Sequence, residues 1–354
     1  MAPQATGFEG FEASGPPLSF SGGRRGLVLG AGGSLGAAWT IGALCALEDA
    51  CGWDSRTADI ILGTSAGAIV GSLLAIGARP SDLRDHQRGA ATVASGPAGR
   101  VLGDYDTWVG GALPRIPKPG IGSLKLLGSL ARQPHRMPLT TLIAACVPPG
   151  RGSLDGVRDL FRRLDMADRW PGGTSLRVTA VDLDSGTRVL FGEPGAPDTD
   201  LASAVTASCA LPAWFEPVQI NGRRFVDGCA WSDTNLDLLV GQDLDEVAVL
   251  APTSADRMDH PRSIPARVER RLRRIATRRL LREAQLVREA GTRVRLIVPG
   301  PEDLAAMGAN LMDPLHRLTV LETSLQTTAA ALRGPCPHQT AAPSGPGPAD
   351  RRTA

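Results

Sequence analysis

Early in the chain an apolar strand runs through a glycine-bounded turn into an apolar helix, and that passage constrains the fold more than any other stretch. It reads Asp59-Ile60-Ile61-Leu62-Gly63-Thr64-Ser65-Ala66-Gly67-Ala68-Ile69-Val70. The isoleucines and leucine suffice for a buried strand. Gly67 and Gly71 then recur one helical turn apart. Strand, sharp turn and helix are the setting in which G-x-S-x-G acts as a nucleophile elbow. A serine at such an apex is strained, so Gly63 and Gly67 keep bulky β-carbons out of the bend. The hydroxyl then stands at the positive end of the following helix. Ser65 is therefore the candidate nucleophile. The bland alternative is a chance match in a glycine-rich chain, with Thr64-Ser65 serving only as an N-cap.

A similar passage precedes it. Arg25-Gly26-Leu27-Val28-Leu29 reads as a strand entering Gly30-Ala31-Gly32-Gly33-Ser34-Leu35-Gly36, and Ala38, Ile41, Ala43, Leu44 and Leu47 give the next helix an apolar face. Such a loop aims several backbone N–H groups into one space and favours an anion there. A dinucleotide fingerprint needs G-x-G-x-x-G, but Leu35 stands where the third glycine belongs, and the lysine of a P-loop is missing. An oxyanion hole needs only the backbone donors, here around Gly32, Gly33 and Ser34. A purely structural glycine turn is the remaining alternative.

Hydrophobic residues at 42% and charged residues at 21% describe a globular chain with apolar side chains for a sizeable core. The formal charge of +2 points to no nucleic-acid partner. The six cysteines are scattered without a C-x-x-C pair, so neither a metal site nor a disulfide framework is expected. No apolar run is long enough to span a membrane and no signal peptide is read, so a cytoplasmic setting is expected and any lipid contact would be peripheral.

Residues 1–23 read as a flexible leader, 24–333 as one domain and 334–354 as a disordered tail. Within the domain, 89–135 mixes glycine, proline and isolated apolar residues without a period, as a lid or a loosely ordered insertion would. Gly77 suits a helix C′ position and Pro80 a helix start; Leu139–Ala145 and Leu154–Leu164 read as short helices. Arg177–Asp182 and Arg188–Phe191 read as a hairpin, and a capped helix runs from about Asp200 to Ser208. Asn221-Gly222 between Pro217–Ile220 and Arg223–Val226 is a strong two-residue hairpin signal. Its return strand delivers Asp227 at its end, as a turn former or as a catalytic carboxylate. Two more core strands, Glu246–Leu250 and Arg293–Val298, flank an arginine-dense helix whose Val268, Leu272, Ala276, Leu280 and Ala284 hold one face at spacing four. Its arginines read as solvated surface or as attraction to anionic lipid. A helix from about Leu315 to Leu332 closes the domain.

Three segments in this order resemble the patatin-like phospholipase (lipid acyl hydrolase) family: Gly30–Gly36, Gly63–Gly67, and Ala207-Ser208-Cys209-Ala210-Leu211-Pro212 leading to Val226-Asp227-Gly228. The resemblance implies an α/β fold, a three-layer α/β/α sandwich with a central mixed sheet. It implies a Ser-Asp dyad without histidine, in which Ser65 attacks an acyl ester of a lipid and Asp227 takes its proton and later activates water. Gly32, Gly33 and Ser34 would hold the oxyanion, and no cofactor or metal is required. Two departures stand out: Leu35 where the family's loop usually carries arginine, and Cys229 in its Asp-Gly-Gly/Ala motif.

Two other functions compete. One is an α/β-hydrolase-type Ser-Asp-His esterase using Ser65, Asp227 and His260 or His316. The other is a non-catalytic module that binds a nucleotide through residues 30–36, or lipid without turnover.

Overall fold

The structure, a computed structural model, describes residues 23–89, 122–123, 125–126, 141, 144, 146–164, 170–171 and 175–333. Strand alternation decides its layers. In β1 (Arg25–Leu29), Leu27 and Leu29 point to one side of the sheet together with Ile61 of β2 (Ile60–Thr64). Val28, Ile60 and Leu62 point to the other. Strands apolar on both faces belong inside a parallel sheet covered on both sides.

The strand path runs β5-β6-β3-β2-β1-β7-β8, where β3 is Ser175–Asp182, β5 Val218–Ile220, β6 Arg223–Asp227, β7 Glu246–Leu250 and β8 Arg293–Ile297. Strands β3, β2, β1, β7 and β8 are parallel, whereas β4 (Arg188–Phe191), β5 and β6 pair antiparallel. The β5–β6 hairpin turns at Asn221 and Gly222 with φ of 49° and 74°, the double positive φ its sequence predicts.

Helices cover both faces. On one lie α1 (Gly33–Cys51), α2 (Ala66–Ala75), α3 (Pro80–Gln87), α4 (Asp155–Arg163), α5 (Leu201–Ser208), α7 (Pro301–Met307) and α8 (Arg317–Arg333), which share the larger core. On the other, α6 (Ile264–Glu289) packs Leu280, Ala284 and Val287 against Val28, Leu62, Val247 and Val249. The molecule is thus a three-layer α/β/α sandwich around a mixed sheet.

One expected helix face is wrong. Val268 and Leu272 are exposed, and the buried side of α6 carries Ala266, Arg270, Arg273, Thr277, Leu280, Ala284 and Val287. Each step of four advances about 40° round a helix of 3.6 residues per turn, so a spacing-four row spirals off any one face. Nor are all its arginines solvated. Arg270 donates to Asp259 at 3.0 Å and to the Leu304 carbonyl at 2.7 Å, and Arg273 pairs with Glu269 and donates to the Ser254 carbonyl at 2.9 Å. Helix α7 was not foreseen, although Pro301 at its first turn and Asp303, which accepts the Gly300 N–H at 2.9 Å, are ordinary start signals.

The leader up to residue 22 and the tail from 334 lie outside the described residues. So do the helix expected at 139–145, except Thr141 and Ala144, and nearly all of the lid expected at 89–135. Of that segment, Ser123 donates to Asp184 at 2.8 Å and Leu126 is buried.

Candidate active site

Where β2 meets α2, Ser65 sits at φ 55° and ψ −122°, a conformation that costs a non-glycine residue about 1–3 kcal/mol. Its surroundings hold it there. The Ser65 N–H donates to Ser208 Oγ at 2.8 Å. The start of α2 lies flush on the end of β1: a β-carbon on Gly67 would stand 2.0 Å from the Leu29 carbonyl oxygen, and one on Gly63 would stand 2.5 Å from Ala68 Cα. Both neighbours are backbone and cannot swing aside, so only glycine fits at either position.

The strand register explains why Asp227 arrives beside this turn. Ala180 of β3 pairs with Val189 on β4 and with Asp227 on β6, while Thr179 pairs with Leu190 on β4 and with Thr64 on β2. Strand β4 therefore occupies one edge of β3, and β2 and β6 share the other edge with their C-terminal ends facing. Thr64 and Asp227 are neighbours along β3, which brings the Ser65 hydroxyl close enough to the Asp227 carboxyl to favour its ionised form. Asp227 is buried, and its Oδ1 also accepts the Cys229 N–H at 2.8 Å.

A polar knot ties the two strand ends together. Buried Asn235, itself left-handed at φ 53°, donates from Nδ2 to the Ser232 carbonyl at 2.6 Å, to Thr64 Oγ1 at 3.2 Å and to Thr179 Oγ1 at 3.4 Å. Thr64 and Thr179 share a further hydrogen bond of 2.7 Å. These hydrogen bonds satisfy the buried polar groups from within the protein and tie the two strand ends to each other.

The glycine-rich loop closes the other side. Gly30 N–H donates to the Leu250 carbonyl at 2.9 Å, Ala31 N–H to the Asp233 carbonyl at 2.8 Å, and Leu35 N–H to the Leu311 carbonyl at 2.9 Å. Between these anchors the N–H groups of Gly32 and Gly33 have no backbone acceptor among the described residues, at the positive end of α1. Gly32, Gly33, Ser34, Ser65 and Asp227 all line one cavity of about 350 Å³. Its other walls are mainly apolar, including Ile69, Leu211, Trp214, Phe215, Leu272 and Met312. A few convergent polar groups in an apolar cleft are the usual form of a small-molecule site.

Burial raises the Asp227 carboxyl to about 6, against the pull of the Cys229 N–H and the Ser65 hydroxyl, which favour its ionised form. It is therefore mostly ionised at neutral pH and can accept a proton. A second carboxylate, Asp233, lines the same cavity and is open to it on one side. Burial, then the negative charges of Asp227 and Glu283, lift Asp233 to about 7, while Arg279 and Arg273 oppose the rise.

Of the sequence-predicted site residues, Gly32, Gly33, Ser34, Ser65 and Asp227 thus line one cavity, and Gly63 and Gly67 flank the turn that carries Ser65. Of the departures from the resembled pattern, Leu35 is fully buried in the core and its N–H anchors the loop, while Cys229 contributes its backbone donor to Asp227. The residues missed by sequence reading are Ser208, Asn235 and Asp233. No histidine lines the cavity among the described residues: His316 is exposed and pairs with Asp313 at 3.1 Å, and His260 lies in a separate groove beside α6.

A family model described as patatin-like phospholipase matches residues 27–240 of this chain. No protein of curated function matches it. Among solved structures, VipD from Legionella pneumophila is similar at 13% identity and a TM-score of 0.40, over 88% of this chain and 67% of that one. The type III effector ExoU is similar at 20% identity and a TM-score of 0.34, over 87% of this chain and 53% of that one. The ExoU–SpcU complex from Pseudomonas aeruginosa gives 22% identity and a TM-score of 0.28, over 92% of this chain and 65% of that one. The chain therefore spans between 53% and 67% of the length of these solved chains.

Proposed function

The chain belongs to the patatin-like phospholipase family, and on that premise we propose that it is a serine esterase that cleaves fatty-acyl ester bonds of phospholipids or related lipids, of the phospholipase A or lysophospholipase type. The observation that carries this reading is the meeting of strained Ser65 with buried Asp227 at one end of an apolar cavity.

In this reading the substrate's acyl chain lies along the apolar wall, with its carbonyl carbon above Ser65 Oγ. The hydroxyl attacks that carbon while its proton passes to Asp227. The negative oxygen of the tetrahedral intermediate meets the N–H groups of Gly32, Gly33 and Ser34. Collapse breaks the ester bond, and the departing alkoxide takes the proton back from Asp227 and leaves as an alcohol. Asp227 then removes a proton from water, whose oxygen attacks the acyl-Ser65 ester. The fatty acid departs and the proton returns to Ser65. Neither His260 nor His316, the histidines of the triad alternative, lines the cavity.

The test is covalent. A fluorophosphonate with a long alkyl chain should phosphonylate Ser65 with loss of fluoride, and peptide mapping should find the adduct on the peptide containing Ser65. The unlabelled protein should release fatty acid from phospholipid. Absence of both label and release would remove the esterase reading.

The two carboxylates predict the pH profile. As pH rises through about 6, Asp227 ionises and the base becomes available, so kcat/KM for a soluble ester should increase. As pH rises further through about 7, Asp233 ionises and places a second negative charge beside the developing oxyanion, so kcat/KM should decline. Asp233→Asn should abolish the decline and leave the rise. A parent profile flat above neutrality would show that Asp233 is uncoupled from the reaction.

A further inference from the structure

The N-terminal half of α6 is built inside out. Its buried side carries Arg270 and Arg273, and its outward side carries Ile264, Val268, Leu272 and Ile275, exposed at 74%, 53%, 62% and 57%. At 3.6 residues per turn these four apolar residues fall within an arc of about 80°. Arg267, Arg271, Arg274 and Arg278 fall in the adjoining arc on one side. None of those four pairs with a carboxylate among the described residues, although other arginines of the same helix do. A groove of about 550 Å³ beside the helix is lined by His260, Arg267, Arg271 and Arg274. Its carboxylate, Asp259, is engaged by buried Arg270.

The apolar row leads to the cavity that holds Ser65. Leu272 belongs both to the row and to the cavity wall. Across the cavity, the wall residues Leu311 and Met312 run on in sequence to Leu315 and Leu318, exposed at 87% and 46%. Exposed apolar side chains therefore continue outward from the wall on two separate elements.

We infer that this face of α6 docks on a lipid bilayer carrying anionic head groups, with the apolar row entering the head-group boundary and the arginines meeting the phosphates. The choice of a lipid surface rests on the lipid-hydrolase reading of the Ser65 cavity. A helix with an apolar arc beside a basic one lies in the plane of such an interface, held by buried apolar area and by attraction to anionic lipid. The charge disfavours a second copy as the occupant, because a symmetric contact would set the same four arginines against each other. Docking in this orientation brings the cavity mouth to the membrane, so an ester-bearing chain can enter from the bilayer past Leu272.

The experiment is co-sedimentation of the full chain carrying Ser65→Ala, which removes turnover, with phosphatidylcholine vesicles with and without phosphatidylglycerol. Binding is expected only with phosphatidylglycerol and should weaken with added salt. Adding Arg267→Glu and Arg271→Glu together should weaken binding by at least ~10-fold, since each basic residue near such a surface contributes measurably. Adding Val268→Ser and Ile275→Ser should also weaken it, without removing the salt dependence. With Ser65 intact, both pairs should keep the parent's rate on a soluble short-chain ester.

Unchanged binding in both pairs overturns the inference. So does light scattering that shows a dimer dissolved by the same substitutions, or binding that appears only after residues 1–22 are removed. The esterase reading fails separately, through loss of soluble-ester turnover in the parent, and vesicle binding by the Ser65→Ala protein does not depend on that result.

Discussion

Ser65→Ala is expected to fold as the parent does and to lose ester turnover by a factor on the order of 10⁴ to 10⁶, the loss typical of removing a serine nucleophile. The substitution deletes one oxygen. It leaves the backbone in its left-handed turn, because alanine carries the same Cβ, and it keeps the Ser65 N–H bond to Ser208 Oγ. The missing hydroxyl has one further consequence. It is one of the groups that lower the Asp227 carboxyl, so in the variant that group should titrate above its parent value of about 6. Initial rates on a short p-nitrophenyl ester, a long-chain phospholipid and a melting curve together decide the matter. Comparable rates in the two proteins would sink the nucleophile assignment, and a large drop in melting temperature would mean the turn depends on the hydroxyl.

Asp227→Asn separates a catalytic carboxylate from a structural one. Asparagine keeps the shape and the Oδ1 that accepts the Cys229 N–H, but it cannot take up the Ser65 proton. Loss of a general base costs roughly 10² to 10⁴ in rate. Stability should move the other way. Because the folded state holds the Asp227 proton more tightly than the unfolded chain does, ionising it as pH rises toward about 6 costs the parent stability. A shift of that size corresponds to on the order of 3 kcal/mol. The variant does not bear that cost, so at pH 8 it should melt at or above the parent, and the difference should shrink as pH falls toward 4. A less stable variant with near-normal turnover per folded molecule would mark Asp227 as a turn former.

The parts of the site legible in the sequence are those whose geometry is set by a few consecutive residues. The elbow announces itself because Gly63 and Gly67 are required by backbone contacts within the same strand–turn–helix passage and with the neighbouring strand. Asp227 is delivered by a hairpin whose register Asn221 and Gly222 fix locally. Ser208, Asn235 and Asp233 were not legible, because each acts across the fold. Ser208 reaches Ser65, and Asn235 reaches Thr64, through contacts 143 and 171 residues apart in sequence. Asp233 matters because the sheet brings it to the same cavity as Asp227. The orientation of α6 was hidden for another reason. Periodicity detects that a helix has faces, but Arg270 and Arg273 are buried by partners on loops and on α7, which no periodicity in α6 records.

The placement of β1 bears on how the protein comes into being. That strand is the middle one of the five parallel strands, between β2 and β7, and its pairing with β7 begins beside a contact between Arg24 and Asp245, 221 residues apart. A chain leaving the ribosome therefore presents one unpaired edge of this middle strand until most of its length has been made, a condition that favours slow folding and calls for protection from aggregation. The same delay separates the two halves of the proposed dyad. At about 5–20 residues per second, roughly 8 to 30 seconds separate the synthesis of the serine from that of its aspartate partner. During that interval, and in any product cut short within it, the nascent chain carries Ser65 without Asp227, so the proposed dyad cannot assemble and no ester turnover is expected of it.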